Sequence, residues 1–332
     1  MSINKCVKIG IIGLKHSGYY YIQALQRFPN LELIAGCDID SRRQRLLPGG
    51  VIFYNDAHDL LANKNIETVI IATPNKTHYK LGCQVFNAGK NVIMEKPATT
   101  SIKEFEKLNL KFEKSSSLHI YYVFHAARAL EVTWFKNYYN NNKNRRNLGP
   151  VTSFDCNFYD PYCYGGKVKK DALGLQNCWM DSGINALSVI SEFVDINSIK
   201  SIGFSSASTD NLYTQALAHY SFSIYKNDEA GAGIIDTNWN LGVNFKQTVL
   251  TFASSGSKIV LEHSNQKVIL IKRNGVRKVL CSFDSKGERL YNHYFEVLKN
   301  YLDCYNKKSF DYKRSERLHR LLFQSVAKPF LN

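Results

Sequence analysis

From the start of the chain to about residue 124, short β-branched runs alternate with amphipathic stretches. This alternation predicts a parallel sheet whose strands are connected by crossover helices. One amphipathic stretch opens at Ser101 and has Glu104 three residues later, which is the pattern of a capping box at a helix start. The strands are predicted at 7–12, 33–37, 68–72, 91–94 and 119–124, and the helices at 18–28, 76–88 and 102–114.

The pattern changes after residues 140–147, an asparagine-rich and basic segment that we predict to be a solvated loop. Beyond it, apolar runs follow one another with few amphipathic stretches between them, which favours a large, mostly antiparallel open sheet. The strands are predicted at 151–159, 199–205, 216–225, 231–239, 247–253, 258–262 and 268–272, and two closing helices at 289–305 and 315–330.

The composition is that of a globular protein, and the length suggests two domains or one large one. Of the 332 residues, 44% are hydrophobic, which is enough for substantial cores. The formal net charge is +15, but the basic residues are spread along the chain and match no nucleic-acid recognition motif. We therefore expect no nucleic-acid partner, and we expect part of this charge to attract the phosphates of an anionic cofactor.

Cysteine spacing and the N-terminal segment indicate the compartment. Eight cysteines are scattered without a Cys-x-x-Cys pair or a Cys/His cluster, so neither zinc nor a disulfide framework is expected. The apolar segment 7–14 is too short to span a bilayer and lacks the cleavage site of an export signal. These features predict a cytoplasmic protein with no membrane partner and no bound metal.

A glycine turn follows the first predicted strand and opens the first predicted helix. It contains Gly13, Lys15, His16, Ser17 and Gly18, where a G-x-G-x-x-G dinucleotide fingerprint is expected. Lys15 occupies the position of the middle glycine, which normally lets the backbone approach the cofactor pyrophosphate. A lysine there either obstructs the phosphates or, being cationic, folds over them, and we favour a bound cofactor in a shifted position.

These patterns together predict an α/β fold. Residues 1–124 are expected to form a Rossmann dinucleotide-binding domain, with a doubly wound parallel sheet. Residues 125–332 are expected to form a substrate-binding and oligomerisation domain of the α+β type, with the large antiparallel open sheet.

An acidic residue ends the second predicted strand. Asp38 follows Gly13 by about 25 residues, where a carboxylate binds both ribose hydroxyls and repels a 2′-phosphate. This position predicts NAD as the cofactor. Arg42 and Arg43 lie close enough in sequence to weaken the preference, so NADP is possible, and the alternative for Asp38 is a loop carboxylate.

A second turn, at Thr73, Pro74 and Asn75, follows the strand predicted at 68–72. We expect its backbone and the Asn75 side chain to lie at the edge of the nicotinamide, because ligands of such sheets bind beyond the carboxyl ends of the strands. His78 lies three residues further on, and it is either part of this cofactor site or a helix-end residue with no chemical role.

The tripeptide Glu95-Lys96-Pro97 follows the strand predicted at 91–94 and therefore also lies at the ligand-binding edge of the sheet. Lys96 is thus expected beside the nicotinamide, where a lysine can exchange protons during hydride transfer. We count Glu95 and Lys96 among the cofactor-binding residues. The alternative is a solvated charge at a strand end.

The second domain contains a candidate catalytic segment with Asp181 and Asn185. On a helix, a spacing of four residues places both side chains on one face. Asp181 is either a catalytic group or the N-cap of a helix that runs to Phe193.

Together these segments resemble the Gfo/Idh/MocA family, which includes glucose-fructose oxidoreductase and inositol dehydrogenase. Most members carry a histidine near the position of Asn185. With an asparagine there, residues 181–188 are similar to the corresponding segment of the bacterial L-arabinose/D-galactose 1-dehydrogenase branch. The resemblance covers nearly the whole chain, and it is carried by the glycine turn, by residues 72–78 and 88–97, by 125–127 and 181–188, and by Trp239 and 289–295.

The resemblance implies oxidation of an aldopyranose at C1 to the lactone, with hydride transfer to the nicotinamide. By position, Lys96 and Asp181 would be catalytic and would manage the hydroxyl proton, while Asn185 would orient the sugar. An amide does not titrate, so Asn185 cannot replace a histidine as general acid or base. His125 and Trp239 would line the sugar site, or they are core residues.

Two other functions fit the sequence. One is a keto- or imino-group reductase of sugar or secondary-metabolite synthesis, which runs the hydride in the opposite direction. The other is a non-catalytic sensor that binds a sugar or a dinucleotide. In each case the expected partners are a small-molecule sugar and a second copy of the chain, because the exposed face of a large sheet commonly forms a dimer.

Overall fold

The computed structural model describes residues 6–224, 229–284 and 287–327. These residues form two compact units. The first comprises the described residues up to Val123 together with Leu290–Glu316, and the second comprises the described residues of Phe124–Arg289 and those from Arg317 onward.

The first unit is built on a six-stranded sheet in which every neighbouring pair of strands is parallel. Most of the strands are short and buried, and the helices between them are the crossover connections that a parallel sheet requires. The elements in chain order are β1 (Val7–Ile12), α1 (Ser17–Leu25), β2 (Leu31–Cys37), β3 (Ile52–Tyr54), α2 (Ala57–Ala62), β4 (Thr68–Ile71), α3 (His78–Asn87), β5 (Asn91–Met94), α4 (Ile102–Glu113) and β6 (Ile120–Tyr122).

The strand order in this sheet is β3-β2-β1-β4-β5-β6. The order reverses between β1 and β4, and dinucleotides bind beyond the carboxyl ends of the strands at such a switch point. The turns that follow β1 and β4 are those that contain Gly13 and Thr73. The predicted doubly wound N-terminal domain is therefore confirmed.

Helix α4 begins with the predicted cap, although the reciprocal bond differs. The Ser101 hydroxyl accepts a hydrogen bond from the backbone N–H of Glu104 at 3.3 Å. The Glu104 carboxylate accepts from the backbone N–H and the hydroxyl of Thr100, at 3.2 and 2.9 Å. The glutamate thus satisfies donors one residue earlier than a standard capping box does.

The rest of the chain contains a second sheet and further helices. The remaining elements in chain order are α5 (Leu130–Asn140), α6 (Asn142–Leu148), β7 (Val151–Tyr159), β8 (Cys163–Tyr164), β9 (Lys167–Val168), α7 (Ile184–Ile190), β10 (Lys200–Thr209), β11 (Leu212–Ser223), β12 (Ala230–Asn238), β13 (Phe245–Phe252), β14 (Lys258–Glu262), β15 (Lys267–Ile271), β16 (Arg277–Ser282), α8 (Arg289–Lys307) and α9 (Tyr312–Val326).

The large sheet of the second unit has eight strands in the order β10-β11-β12-β7-β13-β14-β15-β16. Neighbouring strands are antiparallel, except that β12 and β7 are parallel. This confirms the predicted mostly antiparallel sheet. The alternation of buried and more exposed residues along β11 and β12 is that of a sheet with one face on the core.

The predicted asparagine-rich loop is wrong, because most of that segment is helix α6. The Asn141 side chain accepts hydrogen bonds from the backbone N–H groups of Lys143 and Asn144, at 3.1 and 3.4 Å. An asparagine at this position is a strong N-cap, so the same composition that suggested a loop starts a helix.

The sequence analysis also did not predict helices α2 and α5 or the short strands β8 and β9. Further differences are at edges and ends. The short strand β3 and the exposed strand β16 lie at the edges of their sheets, where an incomplete apolar pattern suffices, and the sequence predicted neither. The last predicted helix starts earlier, at Tyr312, and its end at 328–330 lies outside the described residues. The same holds for residue 225 at the end of the predicted strand 216–225.

Helix α8 completes the core of the first unit although it lies late in the sequence. Val297, Leu298 and Tyr301 are buried in the same apolar cluster as β1 and α1. The Tyr301 hydroxyl also hydrogen-bonds to the Thr68 hydroxyl of β4 at 2.8 Å. The structure differs here from the predicted division at 124/125, because the apolar face of α8 finds its partners in the first unit.

No helix of residues 6–224, 229–284 or 287–327 is long and apolar enough to cross a membrane.

Shortening Leu298 to alanine should destabilise the first unit by about 2–5 kcal/mol, because the substitution leaves a cavity in a fully buried position. We expect Leu298→Ala to accelerate hydrogen exchange in β1 and α1 more than in β7 and β13. Lys299→Ala, at an exposed position of the same helix, is the control. Faster exchange confined to β7 and β13 would contradict the assignment of α8 to the first unit.

Candidate functional site

The turn after β1 is shaped by two close backbone approaches that only glycines permit. Gly13 has a φ of 90°, and a Cβ there would lie 2.5 Å from the carbonyl oxygen of Ala72. A Cβ on Gly18 would lie 1.9 Å from the carbonyl oxygen of Gly13. The turn therefore packs directly against the start of its own helix and against the end of β4.

The start of α1 is suited to bind an anion. The first turn of this nine-residue helix has no acidic residue, and its N-cap, His16, makes no side-chain cap hydrogen bond. Aligned peptide dipoles leave partial positive charge at such a helix start. Lys15 and His16 are exposed and Ser17 is half-buried, so the cationic side chain in the place of the middle glycine lies on the surface of the turn. These residues fit a dinucleotide pyrophosphate.

Asp38 is held rigidly at the end of β2. Its two carboxylate oxygens accept hydrogen bonds from the backbone N–H groups of Leu14 and Asp40, at 2.9 and 3.0 Å. Each oxygen keeps a further lone pair for a ligand donor. The carboxylate is thus anchored to the glycine turn itself and is half-buried, as a ribose-binding group requires.

The neighbouring arginines are directed to another carboxylate. Arg42 forms two hydrogen bonds to Asp40, at 2.8 and 3.0 Å, and Arg43 lies 3.6 Å from the same carboxylate. The hydrogen bonds from Arg42 hold the pKa of Asp40 below its ordinary value. Arg42 is 84% exposed.

The turn after β4 is tied to the Glu95-Lys96-Pro97 segment by His78. This imidazole is fully buried, with Nδ1 2.8 Å from the carbonyl oxygen of Pro97 and Nε2 2.8 Å from that of Thr73. Burial lowers the pKa of His78, and the charge of Lys96 adds to this effect. The nearly buried Asn75 and the hydrogen-bonded hydroxyls of Thr73 and Thr77 complete the turn that follows Pro74.

Glu95 is at the centre of a buried network around the candidate catalytic lysine. Its carboxylate accepts hydrogen bonds from the Tyr21 hydroxyl at 2.8 Å, from the backbone N–H of Lys96 at 3.2 Å, and from Tyr294. The hydroxyl oxygen of Tyr294, on α8, also lies 2.8 Å from that of Ser17. The network therefore connects the glycine turn with the residue next to Lys96.

The electrostatics of this network favour a nearby cation. Burial raises the pKa of Glu95, whereas the charge of Lys96 and the hydrogen bonds from the tyrosine hydroxyls oppose the rise. Lys96 itself is half-buried, and the peptide bond between Lys96 and Pro97 is cis. The Glu95 carboxylate thus interacts with Lys96 in two ways, as a hydrogen-bond acceptor for the backbone N–H of Lys96 and as a negative charge near its ammonium group.

In the second unit, Asp181 lies within a π-helical turn, Trp179–Gly183, that leads directly into α7. The alternative that Asp181 is an N-cap is therefore wrong. A Cβ at Gly183 would lie 2.8 Å from the ring of Trp179, so the absence of a side chain at Gly183 leaves room for the indole. Irregular turns of this kind occur frequently at functional sites, and here the turn holds a buried carboxylate.

Asn185 contacts the backbone of Asp181 and has an unused acceptor. Its amide nitrogen donates to the carbonyl oxygen of Asp181 at 3.1 Å. Its Oδ1 atom is buried and has no hydrogen-bond partner among the described residues. A buried acceptor without a donor costs about 1–3 kcal/mol, which a bound hydroxyl would recover.

The other two residues predicted to bind the sugar lie on neighbouring elements. His125 begins a half-buried 3₁₀ helix, His125–Arg128, which packs against α7. Trp239 directly follows β12 and is fully buried, and its indole N–H has no acceptor among the described residues. The indole and the ring of Tyr162 are in contact at right angles, with 5.4 Å between ring centroids.

Several polar residues beside Asp181 were missed by the sequence analysis. Asp160 directly follows β7 and forms an ion pair with Lys246 of β13, and it accepts a hydrogen bond from Ser182 at 3.1 Å. Burial raises the pKa of Tyr162, and Asp181 and then Asp160 raise it further. Asp160, Tyr162, Asp181 and Lys246 therefore form one cluster at this end of the sheet.

The alternation of the strands contains a signal for two of these residues. In β7 and β13, the buried positions include Phe158 and Thr248. Asp160 and Lys246 lie two residues from these positions and so continue the inward-facing phase. A charged side chain at an inward-facing position needs a partner of opposite charge, because burying an unpaired charge is costly. Two such positions of opposite charge are therefore a signal for this ion pair in the sequence.

Comparison with known proteins shows which family the first unit resembles. A model of the oxidoreductase family Gfo/Idh/MocA, described as an NAD-binding Rossmann fold, matches residues 7–123. Over these residues the chain is thus similar to a family of NAD-binding oxidoreductase domains. The glycine turn, Asp38 and the turn at Thr73 are the parts of this domain that fit the cofactor.

Some known proteins are similar to this chain in sequence over part of its length, and others are similar to it in fold. An inositol 2-dehydrogenase of Salmonella paratyphi B is 33% identical over 107 residues, which are 31% of this chain and 32% of that protein. The match thus spans about a third of the curated relative. An NAD binding oxidoreductase from Klebsiella pneumoniae has a TM-score of 0.78 at 16% identity, with 97% and 96% of the two chains covered.

A second solved structure is a 3-ketoreductase from Actinomadura kijaniata in complex with NADP. It has a TM-score of 0.79 at 14% identity, and 98% of each chain is covered. At this identity the likeness shows the fold alone. The two-domain α/β architecture is thereby confirmed over nearly the whole chain, whereas the relatives do not confirm the arabinose/galactose branch in particular.

Replacing Gly18 by alanine should weaken NAD binding at least about tenfold, equal to about 1.4 kcal/mol, because the new Cβ displaces the Gly13 carbonyl and the turn with it. Calorimetric titration with NAD measures the change. Gly49→Ala is the matched control, since no atom lies within 4 Å of its Cβ. Equal affinities of the two folded variants would contradict this role of the turn.

Replacing Tyr294 by phenylalanine should raise the KM for NAD about fivefold, because one hydrogen bond of about 1 kcal/mol to Ser17 is lost. Tyr291→Phe, on the same helix, removes only a hydroxyl that accepts from the exposed Arg27 at 3.3 Å. Steady-state kinetics at saturating second substrate distinguish the two variants. An unchanged KM in Tyr294→Phe would exclude the hydroxyl as part of the cofactor site.

Proposed function

We propose that this chain is an NAD-linked oxidoreductase that acts on a hydroxyl group of a sugar, with oxidation of an aldopyranose at C1 to the lactone as the leading reaction. The observation that carries the sugar proposal is the buried, unpartnered Oδ1 atom of Asn185 beside Asp181. An acceptor of this kind is suited to a donor hydroxyl of a polyhydroxylated ligand.

The roles follow from the chemistry of each side chain. A nicotinamide cofactor, held by the turns at Gly13 and Thr73 and by Asp38, would supply the hydride acceptor for this oxidation. Lys96 and Asp181 manage the hydroxyl proton, because both are ionisable, whereas Asn185 hydrogen-bonds to the sugar and orients it. His125 lines the sugar-binding part of the second unit, and the fully buried Trp239 acts through its contact with the ring of Tyr162.

The same residues support NAD over NADP as the preferred cofactor. Asp38 presents an anchored negative charge where the ribose hydroxyls are expected, and this charge opposes a 2′-phosphate. The arginine nearest to it in sequence, Arg42, is already paired with Asp40. NADP is therefore expected to be used less efficiently.

The relatives support a hydroxyl–carbonyl reaction of this general class. Their printed activities are inositol 2-dehydrogenase for the sequence relative and 3-ketoreductase for the solved structure. Both names describe the interconversion of a hydroxyl group and a carbonyl group. This favours a cyclic polyol or sugar as substrate and leaves reduction as the second candidate direction.

A substrate panel with each cofactor tests the proposal. We expect purified full-length protein to reduce NAD in the presence of L-arabinose, D-galactose, D-fucose or myo-inositol. Lys96→Ala and Asp181→Asn should each lower kcat about 10²–10⁴-fold, because a proton-transfer group is lost. Lys103→Ala, an exposed lysine of α4, is the control for loss of charge.

The outcomes separate the candidates. Turnover that survives both Lys96→Ala and Asp181→Asn would overturn the assignment of these residues. Activity only with NADH and a ketosugar would establish the reductase instead. Binding of NAD without turnover in either direction would favour the non-catalytic sensor.

A further inference from the structure

Two buried side chains anchor the π-helical turn of the second unit, one on each side of Asp181 in the chain. The Trp179 indole N–H donates to the carbonyl oxygen of Leu322, on α9, at 2.9 Å. The Ser182 hydroxyl donates to the carboxylate of Asp160 at 3.1 Å. Both anchoring side chains are fully buried. The turn is therefore held in place by side-chain contacts with other elements.

The acceptor of the second anchor is itself fixed. The backbone N–H of Asp160 donates to the carbonyl oxygen of Asn238 at 3.0 Å, and the carbonyl oxygen of Asp160 accepts from the backbone N–H of Tyr162 at 2.9 Å. The two backbone bonds hold Asp160 between the end of β12 and the chain that follows β7. Ser182 is thus attached to a rigid part of the sheet.

The counter-ion of Asp160 holds its carboxylate in one orientation. Lys246, on β13, donates to this carboxylate, to the carbonyl oxygen of Tyr159 at 3.4 Å and to the side-chain oxygen of Asn244 at 3.0 Å. The side chains of Lys246 and Asp160 are only 11% and 9% exposed. An ion pair buried to this extent adds little net stability, because the cost of removing both charges from water offsets their attraction. The single orientation that it imposes on Asp160 explains its presence better.

We propose that Ser182 and Asp160 are positioning residues for Asp181, and that Lys246 holds Asp160 in place for this purpose. This rests on the function proposed above. Asp181 is the chain neighbour of Ser182, and its carbonyl oxygen accepts from the Asn185 amide at 3.1 Å, so that a shift of the turn moves both groups assigned to the sugar. A displacement of about 1 Å from the productive geometry can lower a rate about 100-fold.

The hydrogen bond and the charge of Asp160 have different tasks in this arrangement. Ser182 needs only an oxygen acceptor, whereas the negative charge serves the pairing with Lys246. An asparagine keeps an oxygen acceptor and has no charge, so substitution separates the two tasks. Catalysis should therefore tolerate the loss of both charges better than the loss of the acceptor.

Two double variants that differ only in the acceptor test this inference. Asp160→Asn with Lys246→Gln removes both charges and keeps an oxygen for Ser182, whereas Asp160→Ala with Lys246→Gln removes the oxygen too. We expect kcat with the most active sugar of the panel to be at least about fivefold higher in the first, because one hydrogen bond is retained. The KM for NAD should agree within about twofold. Adding Ser182→Ala to both should abolish the difference in kcat, because coupling requires both partners.

The single variant Ser182→Ala has a matched control. It should lower kcat about tenfold, with less than a twofold change in the KM for NAD. Ser191→Ala removes a hydroxyl that donates to the carbonyl oxygen of Ser188 at 2.7 Å, near the end of α7, and should leave kcat within about twofold. A lower melting temperature of Ser182→Ala with an unchanged kcat of the folded enzyme would show a role in stability alone and would overturn the positioning role.

Hydrogen exchange supplies a readout that does not need turnover. Backbone amides of residues 180–185 should exchange faster in Ser182→Ala than in Ser191→Ala or the unsubstituted protein. Unchanged exchange there would overturn the anchor whatever the activity. Faster exchange in a protein that turns over no sugar in either direction would support the anchor and overturn the proposed function. Turnover that Ser182→Ala leaves intact would overturn the positioning role while the dehydrogenase remains.

Discussion

A single buried carboxylate, that of Glu95, determines how the nucleotide-binding unit presents its lysine. A charge removed from water is tolerated only when donors surround it, and here the donors are Tyr21, Tyr294 and the backbone of Lys96. These groups come from the first helix, from the late helix α8 and from the segment itself. Because each donor is fixed in a different element, Lys96 has little freedom to move away from the strand end.

The parts of the fold that depend on local pattern were predictable from sequence. The strands β1, β5, β7 and β14 begin and end where their apolar runs do, because burial of a short strand is encoded by the strand itself. The turns of the cofactor site were also predictable, since their position at strand ends follows from parallel topology. The α6 helix was not, because one cap at Asn141 outweighed the composition of the segment.

Contacts between distant parts of the chain were the ones that sequence could not supply. Tyr294 and Ser17 are 277 positions apart, and nothing in either local pattern indicates the other. In the second unit, the sequence identified Asp181 and Asn185 from their spacing but not the ion pair of Asp160 and Lys246. That pair depends on the register of two strands that are about 90 residues apart, which single-sequence periodicity does not determine.

The place of α8 in the first unit has a consequence for biosynthesis. Residues up to about 124 leave the ribosome long before α8 does, so the first sheet is at that stage without the buried side chains of Val297, Leu298 and Tyr301. Its apolar surface stays open until the intervening unit has been synthesised. A gene fragment that encodes only the apparent nucleotide-binding half would therefore produce an incomplete core.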